Sequence, residues 1–270
     1  MIRIGNNSDG GYLVSSKDLS NSNKLISFGI LYDWEFESQI FHKYKIPIIT
    51  YDGSVGKQYF AAKIKTRIKS TFSDFTYSNL KRTFFYLMLP IRFFYFFTNL
   101  TFGVNKKHYE KFVIDKTSNI NKDIFTTKHG YEPNFIKFEE IVENHIINNT
   151  GVILKIDIEE NEYDLLDSIL KIENNLSMLL IEFHNLNEVN FNKLSKFIEK
   201  FNLQLIHTHC VNFGWTEEST KKIVSENGNP LVAELTFSSS SSTDEKVTSL
   251  PNPLDVECDP NGSSLNISIN

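Results

Sequence analysis

The stretch VILKIDIEENEYDLLDSIL, Val152 to Leu170, decides the fold. Val152–Ile156 is apolar on both faces of an extended chain except for Lys155, so it reads as a strand buried from both sides. After Asp157 the period changes. Tyr163, Leu166, Ile169 and Leu170 fall on one helical face, which makes the segment a strand, an acidic turn and a helix.

The same pattern recurs on either side. KLISF (24–28) ends at Gly29 and precedes Trp34–Tyr44, where Phe36, Ile40, Phe41 and Tyr44 have helical spacing. IPIITY (46–51) ends at the turn pair Asp52-Gly53. MLLIEF (178–183) is a fourth strand, Leu203–Ile206 a fifth and LVAELTF (231–237) a sixth; helices are predicted over Phe138–Asn148 and Phe191–Phe201. Doubly apolar strands alternating with helices predict a mostly parallel sheet covered on both faces. No helical pattern separates Asn212 from Leu231, so the last strand is expected to return antiparallel at an edge. Parallel sheets bind ligands at the carboxyl ends of their strands. The residues to weigh there are Gly29, Asp33, Asp52, Asp157, Glu159, His184 and His207 to Asn212.

Composition sets the bounds. The 270 residues are 40% hydrophobic and 23% charged, with a net charge of -5, which excludes wholesale disorder and argues against a surface devoted to nucleic acid. Cys210 and Cys258 form no CxxC pair and no disulfide framework. With no apolar leader in Met1–Gly11, a reducing, cytoplasmic setting is expected. Charge is unevenly spread: Lys57–Arg92 carries eight basic residues against Asp74 alone, so the remainder sums to -12. Twelve of the 36 aromatic residues fall between Phe72 and Phe102. This aromatic, basic insertion, about 57–110, admits a lid, a homodimer contact or a peripheral membrane helix through residues 67–102. Pro90 and Arg92 interrupt any membrane span. Ser238 to Asn270, opening with a serine run, reads as a peripheral tail beyond a domain of residues 1–237.

Each candidate has a structural alternative. Gly29 is where a backbone can approach a nucleotide ligand, or simply a tight turn. Asp52 is where an acid can accept two ribose hydroxyls, or a solvated turn residue. Glu160 and Glu162 complement a helix dipole. Asp157, at a strand end, is placed in the active site. His184 and His207 suit a base working near neutral pH. A metal reading through Asp157 and Glu159 lacks a third ligand, and no zinc spacing is present, so no metal is assigned.

Several blocks occur in one order: Arg3-Ile4-Gly5 with Asp9-Gly10-Gly11-Tyr12, Ser27-Phe28-Gly29 with Asp33 to Glu37, Tyr51-Asp52, Leu154 to Glu159 with Glu162, Ile181-Glu182-Phe183-His184, His207-Thr208-His209 with Asn212, and Glu234-Leu235-Thr236. The series resembles the FkbM-type S-adenosylmethionine-dependent methyltransferases over about residues 2–56 and 130–237. The resemblance implies a Rossmann-like class I methyltransferase fold, with a seven-stranded, mostly parallel sheet and one antiparallel strand. It also implies O-methylation of a sugar or related group in surface polysaccharide (capsule or lipopolysaccharide) biosynthesis. The acceptor would be a small molecule or glycan precursor, with no nucleic acid partner, and the location cytoplasmic or at the inner face of a membrane. By the same resemblance Gly29 lies against the amino-acid moiety of S-adenosylmethionine, Asp52 takes the ribose hydroxyls, Asp157 sits near the sulfonium, and Asp9, Gly10, Gly11 and Tyr12 wall the pocket. His184, Asp157 and His207 are the candidates for the catalytic base. Leu31 and Glu160 stand where such proteins usually carry glycine. A metal-dependent nucleotide-sugar transferase and an inactive methyltransferase-like scaffold remain the alternatives.

Overall fold

The structure, a computed structural model, describes residues 1–7, 10–98, 105–115, 131–159, 161–212, 230–240, 252–258 and 265. An antiparallel ribbon, β1 (Ile2–Ile4) and β2 (Tyr12–Val14), precedes the main sheet. Helix α1 (Ser16–Asn21) starts at Ser15, whose hydroxyl accepts from the Asp18 N–H at 3.1 Å. Strand β3 (Lys24–Phe28) follows, then α2 (Glu35–Gln39), which runs on as a π-helical turn, Ile40–Tyr44. After β4 (Ile48–Tyr51) come the long helices α3 (Lys57–Ser73) and α4 (Tyr77–Thr98). The Thr71 and Thr83 hydroxyls meet at 2.7 Å across them, so the two form a helical hairpin.

The chain then makes β5 (Lys106–Tyr109), β6 (Phe112–Ile114), β7 (Phe135–Lys137) and α5 (Phe138–Ile141), the last continued by π-helical Val142–Ile146. Next are β8 (Val152–Ile156), α6 (Glu162–Leu170), β9 (Leu176–Phe183) and α7 (Glu188–Lys200). Helix α7 starts three residues before the apolar pattern because Asn187 Oδ1 caps it, accepting from the Asn190 N–H at 3.0 Å. Strands β10 (Gln204–Cys210) and β11 (Ala233–Ser238) complete the sheet.

Seven strands lie in the order β10-β11-β9-β8-β3-β4-β5, and all are parallel except β11, which is antiparallel to both neighbours. This is the Rossmann-like class I methyltransferase sheet. One expectation is corrected: the antiparallel strand is not at the edge but between β9 and β10. The reason lies in its composition, for all six residues of β11 are buried and both of its edges are hydrogen-bonded. The edges belong to β10 and to β5. The latter, Lys-Lys-His-Tyr, is polar and falls within the stretch expected to be insertion, so the sheet resumes at Lys106.

Alternation along the strands builds two cores. Ile26, Phe28, Val152, Leu154 and Ile156 face α5, α6 and α7; Leu25, Ile48, Ile153 and Met178 face α1, α2 and the hairpin. Full burial of each such side chain contributes about 1.5–3 kcal/mol. Lys155 and Ser27 point with the second set, beneath the loop that follows Gly29. Strand β11 runs to Ser238, whose hydroxyl donates to Asp18. Among the described residues no helix is long and apolar enough to cross a membrane. The expected loop between Asn212 and Leu231 lies largely outside the described residues.

Candidate active site

Strands β3, β4, β8 and β9 run parallel, so the residues that follow them share one rim. Gly29 accepts φ of +73°, and its backbone is pressed against the next strand end: a Cβ built on it would lie 1.6 Å from the Asp157 carbonyl oxygen. No other residue fits there. The Asp157 N–H donates to the Phe28 carbonyl at 3.0 Å and the Gly29 N–H to the Tyr51 carbonyl at 3.1 Å, which fastens the three strand ends together.

Asp52 folds its carboxylate back onto the loop that Gly29 begins. Oδ2 accepts from the N–H groups of Ile30 (2.8 Å) and Leu31 (2.7 Å), while Oδ1 accepts from the N–H and hydroxyl of Ser54. Holding Leu31 in this position requires φ of +38°, a left-handed conformation that favours glycine. Glycine would adopt this conformation without the Cβ strain that leucine carries.

Below this loop is a buried network not recognised in the sequence. The Ser27 hydroxyl donates to Glu37 Oε1 at 2.6 Å, and Lys155 Nζ lies 4.0 Å from the same oxygen. Lys155 also donates to the Gly29 carbonyl (3.3 Å) and approaches Asp157 Oδ2 (3.8 Å). Burial disfavours its charge, but the Glu37, Asp157, Glu182 and Asp33 carboxylates outweigh burial and raise its pKa. Its ammonium sits 5.4 Å above the Tyr12 ring, and Tyr12 packs edge-on against Phe36. Tyr12 and the adjoining Gly10-Gly11 are thereby carried to the same rim, and Asp33 bonds Asn6 across the ribbon's turn. Asp9 and Glu160 lie outside the described residues. The lone charge in VILKI was the signal for this network.

His184 stands among four carboxylates. Its backbone N–H and Nδ1 lie 2.7 and 3.3 Å from Glu162 Oε1, and Nε2 is 3.6 Å from Glu182, 3.7 Å from Glu159 and 3.9 Å from Asp157. Burial opposes protonation, yet the Glu162 hydrogen bond and the charges of Glu162, Asp157 and Glu159 prevail and lift the pKa to about 9. With a pKa of about 9 the imidazolium is the main form at neutral pH, so the ring would have to lose a proton before serving as the base weighed from the sequence. Glu162, read from sequence as a helix-dipole acid, is wholly buried and holds the histidine.

One oxygen or nitrogen from each of Asp157, Glu182 and His184 lies within 4.8 Å of the others, a spacing that can hold a cation. Of the pair weighed from the sequence, Asp157 belongs to this group and Glu159 does not; Glu182 comes from β9 and His184 directly follows it. His207 is placed elsewhere. Its Nε2 is 2.8 Å from Asp255 of the C-terminal segment, next to the pair His209 and Glu234 (3.1 Å). Burial pushes the neighbouring Cys210 thiol up to about 12, so it is a packed and unreactive group.

No family model matches the chain, and no curated protein does. Among solved structures, a putative methyltransferase from Thermoplasma acidophilum is 11% identical, with a TM-score of 0.32 over 80% of this chain and 67% of that one. Precorrin-6y C5,15-methyltransferase from Geobacter metallireducens is also 11% identical, with a TM-score of 0.35 over 88% of this chain and 98% of that one. Likeness at this level leaves the fold assignment resting on the strand order itself.

Proposed function

We propose that this chain is an FkbM-type, S-adenosylmethionine-dependent methyltransferase acting on a hydroxyl of a sugar or related polar group in a surface-glycan precursor, in the cytoplasm. The observation that carries the reading is the joint placement of Gly29 and Asp52. A glycine that only a bare backbone permits stands against Asp157, and a buried acid one strand away organises the loop between them.

The cofactor would supply an electrophilic methyl group. Gly29 would leave room for its amino-acid moiety, Asp52 would accept from its ribose hydroxyls, and Gly10, Gly11 and Tyr12 would wall the pocket. Asp157 and His184 would face the acceptor. Transfer would join the methyl group to the acceptor oxygen with loss of the C–S bond, and the hydroxyl proton would pass to a side chain or to water. Orientation and exclusion of water are the main contributions of such a site, and a positioned base adds about 10² to 10⁴ in rate. With its pKa near 9, His184 takes that proton from its neutral form, and Asp157 is the alternative acceptor.

The test is calorimetric titration with S-adenosylhomocysteine, with Asp52→Ala as control. Micromolar binding that the control loses supports the reading, and a folded wild type that does not bind overturns it. The Asp157, Glu182 and His184 spacing favours one further reading, a metal-dependent nucleotide-sugar transferase. There a chelator abolishes activity, and a nucleoside diphosphate sugar rather than S-adenosylhomocysteine raises the melting temperature.

A further inference from the structure

Helix α4 has two apolar faces, one packed on the sheet and the other largely exposed among the described residues. The inner face buries Leu89 and Phe96 and sets Phe93 and Phe96 against Trp34, at ring-centroid distances of 5.7 and 6.5 Å. The outer face presents Tyr77, Leu80, Phe84, Leu87, Ile91 and Phe94, whose steps of three and four residues keep them on one stripe. All six are exposed, Phe84 by 64% and Phe94 by 68%. At about 1.5 Å per residue the stripe is about 26 Å long. Phe72 and Phe75, at the tip of the hairpin, are 86% and 78% exposed. So much contiguous apolar surface marks a contact site.

Charge decides what covers it. The hairpin carries Lys57, Lys63, Lys65, Arg67, Lys69, Lys81, Arg82 and Arg92 against a single acid, Asp74. Two copies pairing hairpin to hairpin would set two surfaces, each with eight basic residues and one acid, against each other. An anionic bilayer answers all of them. A helix too polar to cross a membrane, with one apolar stripe and basic flanks, lies in the plane of the interface.

We propose that the outer face of the α3–α4 hairpin docks on the surface of an anionic lipid bilayer. The inner face transmits the placement: Arg92 lies 5.6 Å over the Trp34 ring and Phe85 meets Tyr32 edge-on at 6.0 Å, so the hairpin is fixed to the loop that follows Gly29. A docked hairpin holds the mouth of the candidate site close to the lipid headgroups. That serves an acceptor carried on a lipid. The surface does not depend on methyl transfer.

The experiment is co-sedimentation of the full chain with vesicles of phosphatidylcholine alone or mixed with phosphatidylglycerol, alongside light scattering of the free protein. The wild type should sediment with the mixed vesicles only, and release as salt rises. Phe84→Ser with Phe94→Ser should abolish sedimentation. Lys63→Glu, Lys65→Glu and Lys69→Glu together should weaken it by at least about fivefold for each charge altered. Both variants change exposed side chains and should melt as the wild type does. A folded wild type that stays in the supernatant overturns the proposal. So does equal binding to both kinds of vesicle, and so does a wild-type dimer that the phenylalanine variant converts to monomer. Titration with S-adenosylhomocysteine on the same samples keeps failure of this surface distinct from failure of the cofactor reading.

Discussion

Both oxygens of Asp52 are fully engaged. A carboxylate offers about four lone-pair positions, and Ile30, Leu31 and the N–H and hydroxyl of Ser54 fill them. A ribose hydroxyl can therefore reach Asp52 only by displacing a donor, and the Ser54 hydroxyl is the one that leaves by a side-chain rotation. Ser54→Ala should tighten S-adenosylhomocysteine binding by about three- to tenfold. Unchanged affinity in the calorimeter would show that the hydroxyl does not compete. Leu31 makes a second prediction. Relief of its left-handed backbone should make Leu31→Gly more stable by about 1 kcal/mol, read as a higher urea midpoint. The third concerns His184, whose folded pKa of about 9 exceeds the unfolded value of about 6.5. Its contribution to stability, about 3 kcal/mol, is complete below pH 6.5 and lost as pH rises through 9. In urea unfolding with chelator present, the deficit of His184→Gln relative to wild type should shrink from pH 6 to pH 9.5. A deficit that does not change with pH would mean that folding leaves the pKa of the ring at its unfolded value. If neutral His184 is the base, turnover should climb about tenfold per pH unit from 7 toward 9.

Elements buried on both faces were legible, whereas of the two edge strands β10 was read in part and β5 was not read at all. KLISF, IPIITY, VILKI and MLLIEF could be read because burial on two sides demands an unbroken apolar run. Strand β5 has no such demand. Its place depends instead on His108, whose Nδ1 meets the Thr50 hydroxyl at 2.8 Å while Nε2 meets the Val55 carbonyl at 2.8 Å. Burial lowers the pKa of this ring, which favours the neutral form that bridges the two. His108→Ala should destabilise the chain by about 1–3 kcal/mol. Hydrogen exchange should rise first in Ile48–Tyr51, and uniform exchange across the sheet would contradict the bridge. The position of β11 was misread for a different reason. Chain order tells that a strand returns, but which neighbours it enters between follows from its wholly buried residues. The same limit governs the site. Gly29, Asp52, Asp157 and His184 each directly follow an apolar strand, so local pattern finds them. Glu37, Lys155 and Glu182 acquire their partners only when separate elements pack.

The hairpin is basic, while Asp157, Glu159, Glu162 and Glu182 gather around His184 and Asp255 and Glu257 lie beside Cys210. The C-terminal segment belongs to the fold where it is described. Asp255 lies 2.8 Å from His207 Nε2, and both side chains are nearly inaccessible. Burial alone would raise the carboxyl's pKa, but the hydrogen bond and charge of His207, the Asn252 N–H and the charge of His209 outweigh it and lower the pKa. The lowered folded pKa means that the stabilisation is present above about 3.8 and is lost as pH falls through the folded value. Asp255→Ala leaves His207 buried opposite nothing, so at pH 7 it should destabilise the chain by about 1–3 kcal/mol. For a chain of this size the melting temperature should fall by about 2–4 °C for each kcal/mol. The gap between variant and wild type should close only as pH falls through the folded pKa, which lies below 3.8, and the carboxylate of the wild type is itself neutralised. Equal melting temperatures at pH 7 would mean that residues 252–258 do not rest on β10 in solution, and would return His207 to the set of groups free to act at the rim.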